Sequence, residues 1–401
     1  MRLTTTEARR VLLAAQGLST RPRRRATKPD VLSAIRTMGA LQIDTINVVA
    51  RSPYLVLWSR IGDYKSEWLN DHLATGALFE YWSHAACFLP IADHRLYRPF
   101  AEGEHPRWND WASGNAGVIA HVREFAHQQK EVRSSDFKRT DGGKGGWWGW
   151  KPEKIALEYL FLRGELMVAR RDRGFQRVYA PRECVLPDAT REPALSRDDA
   201  IRELAARSIQ SLGVTRPEWI ADYFRLRKRG METVLKGLIN DGEVLPVEVD
   251  GWNGPGYAHR DSLGLVEAAA EGGLKGRVTT FLSPFDPIVW DRRRATGLFG
   301  FDYRIEVYTP REKRRFGYFT MPILHRDALV GRIDAKAHRS EELFEIRALH
   351  LEEGVRMTDH LLDGLVGAVR SCAAWHKTPE IKIEYSDPRD LAATLSGLLA
   401  A

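Results

Sequence analysis

Cysteine is scarce in this 401-residue chain: Cys87, Cys184 and Cys372 stand alone, far apart in sequence. With no C-x-x-C pair and no Cys/His cluster, zinc and iron–sulfur chemistry and a disulfide framework are not indicated, and a reducing cytoplasm fits. No run of about eighteen apolar residues occurs, so no transmembrane helix is expected. The segment Met1 to Gly17 mixes Glu7, Arg9 and Arg10 into a helical pattern and lacks the apolar stretch of a signal peptide. There is no H-E-x-x-H motif. His350-Leu-Glu352 reads H-x-E but has no P-C-x-x-C to complete a zinc-deaminase signature. Metal and cofactor are therefore both expected to be none.

The charge balance is only mildly one-sided. Sixty Lys and Arg against 53 Asp and Glu give a net charge of +7 and an isoelectric point near 9.3, a bias toward polyanions that decides nothing alone. The length suggests two to four compact units.

The most informative segment is Met38-Gly-Ala-Leu-Gln-Ile-Asp-Thr-Ile46, which falls between helical patterns at Pro29–Met38 and Val48–Ile61. In an extended strand Gln42 and Asp44 share one face, while Leu41, Ile43 and Thr45 take the other. Leu41 and Ile43 can enter the core and leave an amide and a carboxylate presented together. A wet-faced edge strand would look the same, so the tripeptide by itself has low specificity.

Two further units follow. Trp150 to Gly164 reads as a helix closed by glycine, and Glu165 to Tyr179 as two strands around Asp172-Arg173-Gly174. Arginines crowd this hairpin, Arg171 and Arg173 among them, which suits phosphate contacts beyond an ordinary solvated face. Thr215-Arg-Pro-Glu218 has a capping-box pattern opening a helix that runs to Arg229, with a second helix over Met231–Asp241 and two strands flanking Asp250 to Gly256. Beyond Gly276 the pattern turns to strands at Val278–Leu282, Tyr303–Tyr308, Gly317–Leu324, Ala328–Ala335 and Leu343–Leu351, then a helix over Thr358–Trp375. Gly142 to Gly149 and Pro187 to Pro193 read as junctions.

Three segments together carry a resemblance. Leu41 to Pro53, Glu80-Tyr-Trp-Ser-His-Ala-Ala-Cys-Phe-Leu-Pro90 and Leu282-Ser-Pro-Phe-Asp-Pro-Ile-Val-Trp-Asp-Arg-Arg-Arg294 resemble the AlkZ/YcaQ family of winged-helix DNA glycosylases, over about Leu12 to about Thr394. The resemblance implies an α+β fold of three tandem winged-helix units scaffolded by a small C-terminal β-barrel. The corresponding boundaries are 1–140, 141–190, 191–275 and 276–401. It also implies excision of N7-alkylated guanine and unhooking of interstrand crosslinks. Of its two subgroups, one carries Q-x-Q and the other, with wider lesion scope, carries Q-x-D; Gln42 and Asp44 match the second.

An N7-alkylated purine is cationic and leaves without a general acid. A carboxylate then needs only to oppose charge developing on the sugar and to place a water, the role assigned to Asp44. Gln42, neutral and able both to donate and to accept, suits positioning that water. No lysine adjoins Asp44, so an imine-forming lyase step is not suggested. His84 and Trp82 are candidates for the site's neighbourhood, although a satisfied core histidine and buried aromatic packing are the commoner explanations. Arg51, Arg171, Arg173, Arg292, Arg293, Arg314 and Arg315 are the expected DNA contacts, the last two beside Phe316 and Tyr318. The expected partner is double-stranded DNA carrying alkylated or crosslinked purines, bound by a cytoplasmic, nucleoid-associated monomer without membrane association. The competing assignment is a winged-helix transcriptional regulator without catalysis.

Overall fold

A computed structural model describes residues 1–22, 24–103, 105–138, 150–186 and 195–400. The expected junctions at Gly142–Gly149 and Pro187–Pro193 lie outside the described residues. The chain divides into two compact units, one formed by residues 1–65 and 205–401 and the other by 66–204.

The first unit opens with strand β1 (Arg2–Leu3) and helices α1 (Thr5–Ala15) and α2 (Lys28–Met38). The N-terminus of α1 is closed by a reciprocal cap: Glu7 N–H donates to Thr4 Oγ1 at 3.2 Å and Thr4 N–H to the Glu7 carboxylate at 2.7 Å. At the start of α2, Thr27 N–H donates to Asp30 at 2.7 Å. That helix stops at Gly39, whose φ of +74° is left-handed and where a Cβ would come within 3.1 Å of the Phe224 ring. The chain then makes the two-residue strand β2 (Leu41–Gln42), an irregular stretch, and helix α3 (Ser52–Ile61). Helix α3 begins ten residues after Gln42 because Pro53 suits a first helical turn and the residues before it do not continue a helical ladder.

The 66–204 unit contains α4 (Glu67–Ala74), the hairpin of β3 (Leu78–Trp82) and β4 (Ala86–Pro90), and helices α5 (His94–Ala101), α6 (Pro106–Gly114), α7 (Ala116–Gln129) and α8 (Pro152–Leu162). A second hairpin, β5 (Leu166–Arg171) with β6 (Arg177–Pro181), follows where expected, then the short α9 (Arg182–Val185). Its turn differs in detail. Phe175, not Gly174, takes the left-handed conformation, and its buried ring lies 4.3 Å from the Arg171 guanidinium. Glu80 of β3 is a buried charge, accepting from Arg171 at 2.8 Å and from Arg177 at 2.5 Å.

Helix α10 (Arg197–Leu212) leads to α11 (Pro217–Tyr223), α12 (Met231–Asn240), and the hairpin β7 (Val244–Val249) and β8 (Gly256–His259). Strand β1 joins β7 in parallel to complete a three-stranded sheet. Helix α11 ends six residues short of Arg229, because Arg225 turns left-handed and Leu226 N–H returns to Ala221 O at 2.8 Å. Its N-cap is Arg216; Thr215 Oγ1 donates to Arg216 O instead of forming the expected capping box. After α13 (Leu263–Ala270) come β9 (Thr279–Phe281), α14 (Arg292–Phe299), β10 (Thr320–His325), β11 (Ala328–His338), β12 (Leu343–Leu351), α15 (Asp359–Trp375), β13 (Glu380–Ile383), β14 (Ser386–Asp387) and α16 (Asp390–Ala400).

Among the described residues the large sheet is open, in the order β13-β12-β11-β10-β9 with β14 also on β12, and the expected barrel does not close. The edge at β9 is shielded by helix rather than by another strand. Helix α15 crosses it so closely that a Cβ on Gly364 would lie 2.5 Å from Thr279 Oγ1. The expected strand at Tyr303–Tyr308 is also absent. There Glu306 engages backbone N–H groups of Arg315, Phe316 and Gly317, which replaces a strand ladder with a side-chain clasp. A mixed architecture of helices and small sheets is what remains of the expected fold class.

The core of the first unit is built around α3. Trp58 stacks between Phe281 of β9 and Trp375 of α15 at 6.2 and 5.9 Å. Two residues on, Arg60 forms a two-pronged ion pair with Asp286 at 2.7 and 3.0 Å, with side chains 2% and 0% exposed. Breaking such a pair strands a charge in the core, whereas replacing both partners removes the charge altogether. Asp286→Asn or Arg60→Met alone should destabilise this unit by about 3–5 kcal/mol. The combination Arg60→Met with Asp286→Leu should recover most of that loss in urea unfolding; equal loss in the single and double variants would show that packing, not charge pairing, dominates.

Candidate active site

Asp44 sits two residues past the end of β2, so the expected strand is shorter than its sequence pattern. Burial still alternates as anticipated through the motif: Leu41 and Ile43 are buried and Gln42 and Asp44 half-buried, but Thr45 breaks the alternation and is exposed. The break has a local cause. Asp44 Oδ1 accepts a hydrogen bond from Ile46 N–H at 2.8 Å, closing an Asx turn that bends the chain out of the strand.

That turn occupies one carboxylate oxygen. No cation of the described residues forms an ion pair with Asp44, and the Gln42 amide has no hydrogen-bond partner among them. Burial raises the Asp44 pKa above the ordinary aspartate value, opposed in part by the Ile46 N–H. An unneutralised, partly desolvated carboxylate beside an unengaged amide is an expensive arrangement for stability, and it leaves both groups available to a ligand. A cavity of about 580 Å³ lined by Arg2, Val247 and Trp252 lies elsewhere and contains neither residue.

The segment is held from both ends by buried polar contacts. Upstream, Tyr223 hydroxyl donates to Met38 O at 2.7 Å and accepts from Gln16 Nε2 at 2.9 Å, fixing the last turn of α2. Gln16 O in turn accepts from Arg60 Nε at 2.9 Å. Downstream, the Ser52 and Ser283 hydroxyls meet at 2.7 Å at the start of α3. Between them, Ala337 N–H of β11 donates to Val48 O at 3.1 Å and Arg339 donates to Val49 O. Sequence reasoning missed Arg339. Its only signal is its place in the turn His338-Arg339-Ser340, which says nothing about a contact nearly three hundred residues upstream.

The cationic candidates separate into several classes. Arg51 is half-buried at the N-cap of α3, close enough to Arg339 that burial and then the Arg51 charge lower the Arg339 pKa. Arg314 and Arg315 lie over Tyr318 and Phe316 at 4.8 and 4.7 Å. Arg292 and Arg293 are exposed in the first turn of α14, and Arg173 is exposed at the β5–β6 turn. Arg171 corrects an expectation: its side chain is 5% exposed and locked onto Glu80, so it is a structural ion pair and not an available phosphate contact. The β3–β4 hairpin of the 66–204 unit carries Trp82, 47% exposed, and His84, buried. No group of three or more His, Cys, Asp or Glu placed to hold a metal is found among the described residues.

The family model described as "DNA glycosylase AlkZ-like" matches residues 35–375, a span that includes Gln42, Asp44 and the Arg60–Asp286 pair. Among solved structures, the chain is similar to the Streptomyces sahachiroi DNA glycosylase AlkZ. That match has a TM-score of 0.64 at 14% identity and covers 96% of this chain and all of the other, a likeness of fold. With the family model spanning most of the sequence, the chain belongs to the AlkZ-like family of DNA glycosylases.

Proposed function

We propose that this chain is a monofunctional glycosylase that hydrolyses the N-glycosidic bond of N7-alkylated guanine and unhooks interstrand crosslinks without a cofactor. The observation that carries the reading is Asp44: a half-buried carboxylate that no cation of the described residues neutralises, near an amide that none of them engages, on a braced segment. As the cationic base departs, the Asp44 carboxylate opposes positive charge on the deoxyribose and orients a water toward the anomeric carbon. Gln42 holds that water. Because the base already carries its positive charge, the C1′–N9 electron pair leaves with it, the water adds at C1′, and the proton released passes to Asp44 or solvent.

A crosslinked base is tethered to both strands and cannot swing fully into a closed pocket, so an open site suits it better than a deep one. In this reading Arg51 and Arg339, two like charges held together beside the Asp44 segment, receive a backbone phosphate whose charge relieves their repulsion. Arg173, Arg292, Arg293, Arg314 and Arg315 add contacts along the duplex, and Trp82 offers an exposed ring to it. The four-part division at residues 140, 190 and 275 and its three winged-helix units belong to the same proposal. Helices α11 and α12 followed by the β7–β8 hairpin have the element order of one such unit.

Asp44→Asn should lower single-turnover release of N7-methylguanine about 100-fold to 1000-fold, with DNA affinity nearly unchanged. Full activity in that variant would remove the carboxylate from the mechanism. Since its folded pKa is raised, ionised Asp44 costs stability, and stability rises as pH falls through that pKa. Asp44→Asn should therefore unfold at higher urea than the wild type at pH 7, while wild-type activity should fail on acidification at a higher pH than an exposed aspartate would give. Excess EDTA should leave the reaction intact, and borohydride should trap no protein–DNA adduct.

Salt dependence tests the DNA contacts. Removing Arg173, Arg293 or Arg315 should each flatten the slope of log affinity against log salt by about one unit. Arg171→Gln should instead leave the slope alone and lower stability.

A further inference from the structure

The loop between α14 and β10 presents an aromatic ring that the protein's own packing does not use. Tyr308 is 86% exposed. It occupies the third position of a turn closed by Thr309 N–H to Glu306 O at 2.9 Å, so the backbone beneath it is defined while the ring projects. Exposed cations flank it in sequence at Arg304, Arg311, Lys313 and Arg315. Of the loop's three acids, Glu306 has its carboxylate engaged by the N–H groups of Arg315, Phe316 and Gly317 at 3.0, 2.8 and 3.2 Å, while Asp302 and Glu312 are exposed. The loop's five cations outnumber its acids, so it is net positive.

Both ends of the loop are pinned. The Arg332 guanidinium is sandwiched between Phe301 and Phe316 at 4.6 and 4.0 Å, and Tyr303 hydroxyl donates to Thr320 O at 2.6 Å. Arg314 Nε donates to Thr309 O at 2.8 Å and ties the turn back onto the strap that precedes β10. That strap passes over Asp334 of β11, which accepts from Tyr318 and Phe319 N–H at 3.3 Å each. Only glycine fits at 317, where φ is +134° and a Cβ would lie 2.2 Å from the Asp334 carboxylate.

Three residues further along β11, Ala337 N–H holds Val48 of the Asp44 segment. At about 3.3 Å per residue the two attachments are about 10 Å apart, roughly three base-pair rises. The strap that supports Tyr308 and the Asp44 segment are therefore both anchored on β11.

We propose that Tyr308 is a DNA-stacking residue, its ring resting on a base or wedged at a base step within a few pairs of the lesion, with the flanking cations holding the phosphates on either side. The assignment rests on the glycosylase reading above. Stacking on an aromatic ring contributes without regard to sequence and without releasing counterions, so it differs from the arginine contacts in its signature. An exposed ring wedged at a step also eases local unstacking, which an enzyme acting on a tethered base requires.

The test compares wild type with Tyr308→Ala, Tyr308→Phe and Tyr308→Trp on a duplex containing one N7-methylguanine, reading affinity across salt concentrations and single-turnover base release. Tyr308→Ala should bind about tenfold more weakly at every salt concentration with an unchanged slope, and the Phe and Trp variants should stay within about twofold of wild type. The proposal is overturned if Tyr308→Ala binds and releases base like wild type, or if Tyr308→Phe falls as far as Tyr308→Ala. A wild type that binds the duplex but never releases base would overturn the glycosylase reading alone. The affinity loss in Tyr308→Ala would then still report the stacking contact.

Discussion

The ion pair of Arg60 and Asp286 is the constraint on which the 1–65 and 205–401 unit depends. Two charges with almost no exposure tolerate few geometries, because each lone pair and N–H left unmatched in the core carries a desolvation cost. The guanidinium uses its remaining donors on Val56 O, Ser59 Oγ and Gln16 O. Asp286 uses its carboxylate to accept from Ile288 N–H as well. One buried pair thereby fixes the register of α3 against the 283–290 turn and, through Gln16 and Tyr223, the end of α2. The Asp44 segment is the short piece of chain suspended between those two helices. Its rigidity is inherited, since it makes few backbone hydrogen bonds of its own.

This arrangement separates the parts of the unit that are well satisfied from the part that is not. Around Arg60 nearly every polar group has its partner within the protein, whereas among the described residues half-buried Asp44 has only the Ile46 N–H and half-buried Gln42 has no side-chain partner. A site of that kind has to be supported by neighbours that supply the stability it lacks. The aromatic stack of Phe281, Trp58 and Trp375 supplies much of that support from the other side of α3.

Much of the local structure was legible in the sequence because it depends on near neighbours. The burial alternation from Leu41 to Asp44, the end of α2 at Met38, the β5–β6 hairpin and the strands from Ala328 to Leu351 all follow from spacing and turn chemistry. Long-range side-chain contacts account for what was not. Glu306 reaches nine to eleven residues ahead and converts an expected strand into a clasped loop. Arg171 looks like its exposed neighbour Arg173 until Glu80, ninety-one residues away, is brought against it. The barrel expectation failed because periodicity identifies strands but not whether the first and last of them meet; here α15 occupies the edge of β9. The two residues of the candidate site were found from the sequence, but that no cation of the described residues pairs with Asp44 is visible only in three dimensions.

The Asx turn at Asp44 bears on which residues that position can accept. The hydrogen bond to Ile46 N–H closes a small ring whose size is set by a side chain with a single methylene. Asparagine preserves that ring and alters only the charge. Glutamine or glutamate adds a methylene, overshoots the Ile46 amide and leaves that N–H to find another acceptor, so the chain from Thr45 to Val48 would have to follow a different path. Exchange between a Q-x-D and a Q-x-Q motif is therefore a change of backbone as well as of functional group. Two glycosylases that differ by that one residue would present differently shaped floors to the same base.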